Sequence, residues 1–147
     1  MTTNSFEIYF AIIKLLKLIK PSGAILFKRN IQSFSQSRYL ISKLKKQKII
    51  VKDINRKDTV DLLKSSDLFL FPSNIEASPI VLFEACASKT PFLATDVGNS
   101  KEIIKWTGGG KLLPTYKDDN DQSHAKISES ADLLIKVYNN KKLRQNM

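Results

Sequence analysis

Glu84 is the only charged residue in PIVLFEACAS (residues 79–88), a run that is otherwise apolar or small. A carboxylate taken into such surroundings costs several kcal/mol unless a partner meets it. A second carboxylate, Glu76, stands just ahead, and Ser78 and Pro79 lie between the two. Ser is a favoured helix N-cap, and Pro suits the first helical position, where its missing N–H costs nothing. The spacing therefore predicts a helix over 79–88 capped by Ser78. The unpaired N–H groups and the positive dipole end of a helix start favour an anion, with phosphate the natural guest. Glu84, five residues beyond Pro79, falls about 7.5 Å up the axis. A phosphate at the helix start would then lie between two carboxylates, each able to hold hydroxyls on its own flank. Plainer readings stay open: a capped helix with no ligand, a structural Glu84 bonded to loop N–H groups, and an exposed Glu76.

Positioning these groups is the task of alternating strands and helices. Ser5 caps a helix expected to run to about Lys20, where Pro21 stops it. Strands are predicted at 24–28 (AILFK), 49–52 (IIVK), 67–72 (DLFLFP), 91–95 (PFLAT) and 111–113 (KLL). Helices are predicted at 36–46, 59–65, 79–88, from Ser100 to 105, and at 123–138, with another turn or two from Asn140. GGG at 108–110 reads as a flexible turn. The run DLFLFP is unbroken, as a strand covered on both faces should be. Alternation at this spacing implies an α/β fold: a doubly wound, Rossmann-like parallel sheet with helices on both faces, in a single domain over 1–147. Ligands of such sheets bind beyond the carboxyl ends of the strands. Three loops fall there: DINR (53–56), SNIEASP (73–79) and DVGNS (96–100). Two sugars joined through a diphosphate, as in a nucleotide sugar, match an anion site flanked by two carboxylates.

Composition narrows the classes without choosing among them. The 42% apolar fraction of the 147 residues supports one core. A lone cysteine, Cys86, rules out an intrachain disulfide, and with no secretory signal a cytoplasmic location is expected. The longest apolar run, 6–19, is broken by Lys14 and Lys17 and is shorter than the roughly 20 residues a bilayer requires. It reads as a buried helix, with a membrane-surface helix as the alternative. Net charge is +10, and residues 1–66 carry all of it: 14 Lys and Arg against 4 Asp and Glu, whereas 67–147 balance at 10 against 10. Such a field favours phosphates, acidic headgroups or nucleic acid, and is equally a solvated basic face.

Other chemistry is sparse. His124 is the sole histidine and reads as a surface residue. Asp119 and Asp121 have the spacing of a metal-binding pair but read better as an acidic lead-in to the last helix. Cys86 reads as a small core residue. Trp106, beside the glycine turn, is expected to plug the packing there.

Glu76, seven residues, then Glu84 resembles the Glu-x7-Glu signature of the family-four, or group 1, glycosyltransferases of the glycosyltransferase-B fold. The likeness extends over FLFPSNIEASPIVLFEACASKTPFLATDVGNSKEII (69–104), and TGGGKLLP and ADLLIKVYNNKKLRQNM resemble the downstream strand and helix. It implies the donor-binding half of a two-domain glycosyltransferase acting in polysaccharide biosynthesis, with a nucleotide-diphosphate sugar as substrate and no metal. Glu76 and Glu84 would be the catalytic carboxylates, Glu76 on the donor sugar's hydroxyls and Glu84 on the ribose. Ala77, Ser78, Pro79 and Ile80 would lie against the diphosphate, Ile54 and Arg56 near the base, and Gly98, Asn99 and Glu102 along the Val-Gly-Asn-x-x-Glu segment.

The sequence departs from the pattern in places. EASP stands where many members carry Glu-Gly-Phe-Gly, and Lys89 stands where the family often has glycine. Only MTTN precedes the first helix, where the family opens with a central strand and a basic loop. The expectation is a truncated donor-binding half that binds donor weakly and transfers no sugar alone, with the acceptor domain on another chain or a missing segment. A peripheral contact with an anionic membrane is also expected. The alternatives are a non-catalytic sugar-nucleotide module working with a separate acceptor chain, and a basic nucleic-acid binder, nucleic acid being the less expected partner.

Overall fold

The computed structural model describes residues 55–147. The elements expected at 5–20, 24–28, 36–46 and 49–52, and the loop residue Ile54, lie outside the described residues.

Three short apolar segments make a parallel sheet: β1 (Phe69–Phe71), β2 (Phe92–Ala94) and β3 (Gly110–Leu112), in the order β1-β2-β3. Phe69 pairs with Phe92 and Phe92 with Gly110, so the strands end level at Phe71, Ala94 and Leu112. β2 is buried at every residue, whereas β1 alternates. A central strand covered on both faces explains why Phe-Leu-Ala has no polar member. Helices α1 (Arg56–Lys64), α2 (Ile80–Ala87) and α3 (Ser100–Thr107) flank the sheet; α1 packs on α2 and α2 on α3. The core is Leu63, Phe71, Leu82, Ala85, Phe92, Leu93 and Ile103, all within 1% of full burial. Thr90, buried before β2, donates its hydroxyl hydrogen to the Leu63 carbonyl at 2.6 Å and so ties α1 to the sheet. This is the expected Rossmann-like α/β arrangement.

Several boundaries move for identifiable reasons. α1 begins three residues earlier than expected because Asn55 caps it, its side-chain oxygen accepting from the Asp58 N–H at 3.0 Å. α2 begins at Ile80, and its N-cap is Pro79 rather than Ser78, with no side-chain cap bond. Pro79 keeps an extended ψ of 94°, so Ser78 falls one position too early to reach a helical N–H. Nor does Ser100 cap α3. It lies inside the helix and donates to the Val97 carbonyl at 2.7 Å, and Asn99 holds the cap position. Gly108, at φ 67°, closes α3 in the left-handed conformation.

The largest correction follows β3. The segment read as an acidic loop and helix start is a β-hairpin, β4 (Thr115–Lys117) and β5 (Ser123–Ala125), with Tyr116 opposite His124. α4 (Ile127–Asn139) therefore starts four residues later than expected, and α5 (Lys141–Gln145) follows, capped by Asn140. Trp106 plugs nothing: it is 65% exposed, on the flank of the buried Ser100–Ile103 stripe. Lys89 adopts φ 56°, just past the α2 C-terminus. That conformation costs a side-chain-bearing residue about 1 kcal/mol, which accounts for a glycine preference at this position.

Candidate functional site

The level strand ends deliver three segments to one rim. Residues 72–79 leave β1, residues 95–99 leave β2, and the hairpin leaves β3. A cleft of about 510 Å³ opens among them, with Glu76, Asp96, Gly98, Lys101, Lys117 and Asp121 on its walls. Carboxylates there can accept hydrogen bonds from hydroxyls, and the two lysines can donate.

Backbone contact sets the first wall. Gly98 has φ 52°, and a Cβ placed on it would lie 2.5 Å from the Ala77 carbonyl oxygen and 2.6 Å from that of Glu76. Only glycine permits this approach. The Asn99 N–H donates to the Ala77 carbonyl at 3.2 Å, locking the two loops together. Ser73 donates its hydroxyl hydrogen to Glu76 Oε1 at 3.1 Å, and Thr95 donates to the Ser73 carbonyl. The hairpin supplies the second wall. Ser123, buried, donates its N–H to the Asn74 carbonyl at 3.0 Å and its hydroxyl hydrogen to the Asp96 carbonyl at 2.6 Å. His124 contacts Asn74 Nδ2 through Nδ1 at 3.2 Å and Asp118 Oδ2 through Nε2 at 2.9 Å, and stacks on Tyr116. Asp118 Oδ1 accepts from the Asn120 and Gln122 N–H groups, both at 2.9 Å. The Gln122 N–H, then the His124 side chain, hold the Asp118 carboxyl below its ordinary value.

Glu84 lies apart from this cleft, on α2, with its side chain 16% exposed. It is not solitary: Arg56 Nη1 meets its Oε1 at 2.6 Å, from a guanidinium side chain that is 73% exposed. Two residues expected on the ribose and base side are thus brought together, at the start of α1. The helix carrying Glu84 buries one face, Val81, Leu82 and Ala85, and exposes Ile80 and Phe83 at 67% and 40%, so it is not dry all round.

Of the residues expected at the site, Glu76 and Gly98 line the cleft. Ala77 and Asn99 form the joint beneath it, with Asn99 Oδ1 buried and without a hydrogen-bond partner among the described residues. Ser78 and Ile80 are exposed at the start of α2, Pro79 is buried, and Glu102 is exposed in the first turn of α3. Asn74 and Asp96 lie in loops expected at the rim but were not singled out, and Lys101, Lys117, Ser123 and His124 were not expected there at all. The alternation Thr-Tyr-Lys, a turn of Asp-Asp-Asn-Asp-Gln, then Ser-His-Ala was the available hairpin signal. His124 is half-buried in a network, not a surface residue, and Asp121 is paired with Lys117 at 2.6 Å. Among the described residues, no group of three or more His, Cys, Asp or Glu is placed to hold a metal ion, and no helix is long and apolar enough to cross a membrane.

Glu76 thus lies on a loop at the carboxyl rim of a parallel α/β sheet, and Glu84 on the helix that follows it. The profile of the glycosyl transferases group 1 matches residues 30–147, and the chain belongs to that family. Neither the curated proteins nor the solved structures return a match to this chain.

Proposed function

We propose that residues 55–147 hold the nucleotide-diphosphate sugar donor of a group 1 glycosyltransferase. The observation that carries this reading is the cleft at the carboxyl ends of β1 and β2, with Glu76 on one wall and Gly98 pressed onto the carbonyls of Glu76 and Ala77. In this reading Glu76 accepts hydrogen bonds from the donor sugar's hydroxyls. The start of α2, at Ala77, Ser78, Pro79 and Ile80, faces the diphosphate, where the helix dipole and early N–H groups favour anionic oxygens. Glu84, held by Arg56, takes the ribose. Placing the donor this way orients it and sets a helix dipole against its diphosphate; transfer also requires an acceptor held in line, which this reading assigns to an acceptor domain on another chain or segment. The donor is met on the cytoplasmic side, and the excess positive charge of residues 1–66 favours an anionic membrane surface as a peripheral partner.

A thermal-shift panel of UDP, GDP, UDP-glucose and GDP-mannose on the full chain tests this. A bound ligand raises stability by mass action, about 2.7 kcal/mol at a hundred times its dissociation constant. Saturable stabilisation is expected from at least one nucleoside diphosphate and its sugar. Glu84→Ala should abolish both responses, and Glu76→Ala should abolish only the increment due to the sugar. Indifference to all four compounds, with affinity for nucleic acid falling steeply with salt, would replace the reading with a nucleic-acid binder.

A further inference from the structure

We propose that His124 is a positioning residue for Glu76, holding the loop that carries it through Asn74 so that the hairpin, not the sheet alone, sets where the donor sugar sits. The inference rests on the reading of Glu76 as the sugar contact. Asn74 is two residues from Glu76 and shares its loop with Ser73, whose hydroxyl donates to Glu76 Oε1. The Asn74 carbonyl is already taken by the Ser123 N–H, so the backbone of the loop is fixed at that point. Its side chain is fixed by His124. Amide Nδ2 of Asn74 can only donate, so ring Nδ1 accepts, and the ring hydrogen sits on Nε2, directed at Asp118 Oδ2. Asp118 is in turn anchored by two N–H groups of its own turn. A continuous chain of hydrogen bonds therefore runs from the hairpin turn through Asp118, His124 and Asn74 to the Glu76 loop. The Tyr116 ring, 5.4 Å from the imidazole centroid to centroid, fixes the ring plane. Fixing a ligand-bearing loop through a locked neighbour is how a site is held to a productive geometry.

The two ring nitrogens can be separated by substitution. In His124→Asn the side-chain oxygen takes the place of Nδ1 and keeps the bond to Asn74. In His124→Gln the amide nitrogen takes the place of Nε2 and keeps the bond to Asp118 while losing Asn74. Dissociation constants of UDP, GDP, UDP-glucose and GDP-mannose would be measured by calorimetry on the full chain and both variants. For the sugar nucleotide that binds, His124→Gln should weaken affinity roughly tenfold while its parent nucleoside diphosphate binds unchanged. His124→Asn should stay within about twofold of wild type for both. Asn74→Ala should reproduce the His124→Gln effect, and the double variant should add nothing, because both cut one link. Should His124→Gln fail to fold by near-ultraviolet dichroism, Asn74→Ala carries the test by the same sugar-to-diphosphate ratio. An unchanged ratio in these variants, or equal losses for sugar nucleotide and diphosphate, overturns the positioning role and leaves the donor reading intact. Failure of all four compounds to bind the wild-type chain overturns both.

Discussion

The two carboxylates of the Glu-x7-Glu pair sit in different kinds of surroundings. Glu76 is surrounded by bonds between loops: Ser73 on its carboxylate, Thr95 on the Ser73 carbonyl, Ser123 on Asn74 and Asp96, and Asn99 on Ala77. Among the described residues, Glu84 is met by one long arginine side chain that is mostly in solvent. One end of the rim is fixed before any ligand arrives, while the other is held by a pair that water screens. On the donor reading proposed above, a ligand spanning both would find the Glu76 side pre-formed and would complete the Glu84 side on binding. Ordering a flexible side chain on binding costs about 0.5–1.5 kcal/mol, so on the proposed donor reading this division would concentrate geometric precision at the sugar.

The sharpest way to break the contrast is Gly98→Ala. The new methyl group must occupy a left-handed conformation and collide with two backbone carbonyls, neither of which can swing aside as a side chain tip would. Unfolding free energy should fall by about 2–4 kcal/mol, and sugar-nucleotide binding should be lost even where the fold survives at low temperature. Urea denaturation and calorimetry on the same preparation measure both. A variant as stable as wild type would mean that the two loops are not in contact in solution.

Much of this was legible in the residues. The apolar runs before Phe71 and Ala94 announced buried parallel strands, and the loops at 73–79 and 96–100 were placed at their carboxyl ends, because strand burial follows from local pattern; Glu84, by contrast, lies apart from the cleft, against Arg56. What stayed hidden was set by partners distant in sequence. Nothing near His124 indicates that Asn74, fifty residues away, will meet its ring. Arg56 looked like a loop cation until Asn55 proved to cap a helix that aims it at Glu84. The hairpin was concealed by its own acidic turn, which resembles a helix lead-in when only charge is read. Lys89 was visible as a departure, but its left-handed backbone was not.

At the screened end, Arg56→Ala should cost only about 0.5 kcal/mol of stability at low salt, and the difference should vanish in about 1 M salt. Its mark should be on ligand binding: nucleoside diphosphate affinity falls while the sugar increment persists. A loss of about 3 kcal/mol would instead mean that Glu84 behaves as a buried charge that cannot do without its partner.

The smallest effect tests the fixed end from the hairpin side. The Asp118 carboxyl is held below its ordinary value of 3.8, chiefly by the Gln122 N–H and next by His124. A carboxyl with a lowered folded value binds its proton more readily in the unfolded chain. Its stabilisation is therefore complete above 3.8 and is lost as pH falls through the lowered folded value. Melting temperature followed downward from neutral pH should show a wild-type decrement in that window, and Asp118→Asn should lack it while keeping the fold. Around Asp118 stand His124, Asp119, and the Lys117–Asp121 pair, so the same titration in Asp121→Asn isolates the contribution of Asp118 from its neighbour's. Parallel acid profiles for wild type and Asp118→Asn would show that the turn does not anchor His124, and with it the fixed end of the rim would lose its outermost support.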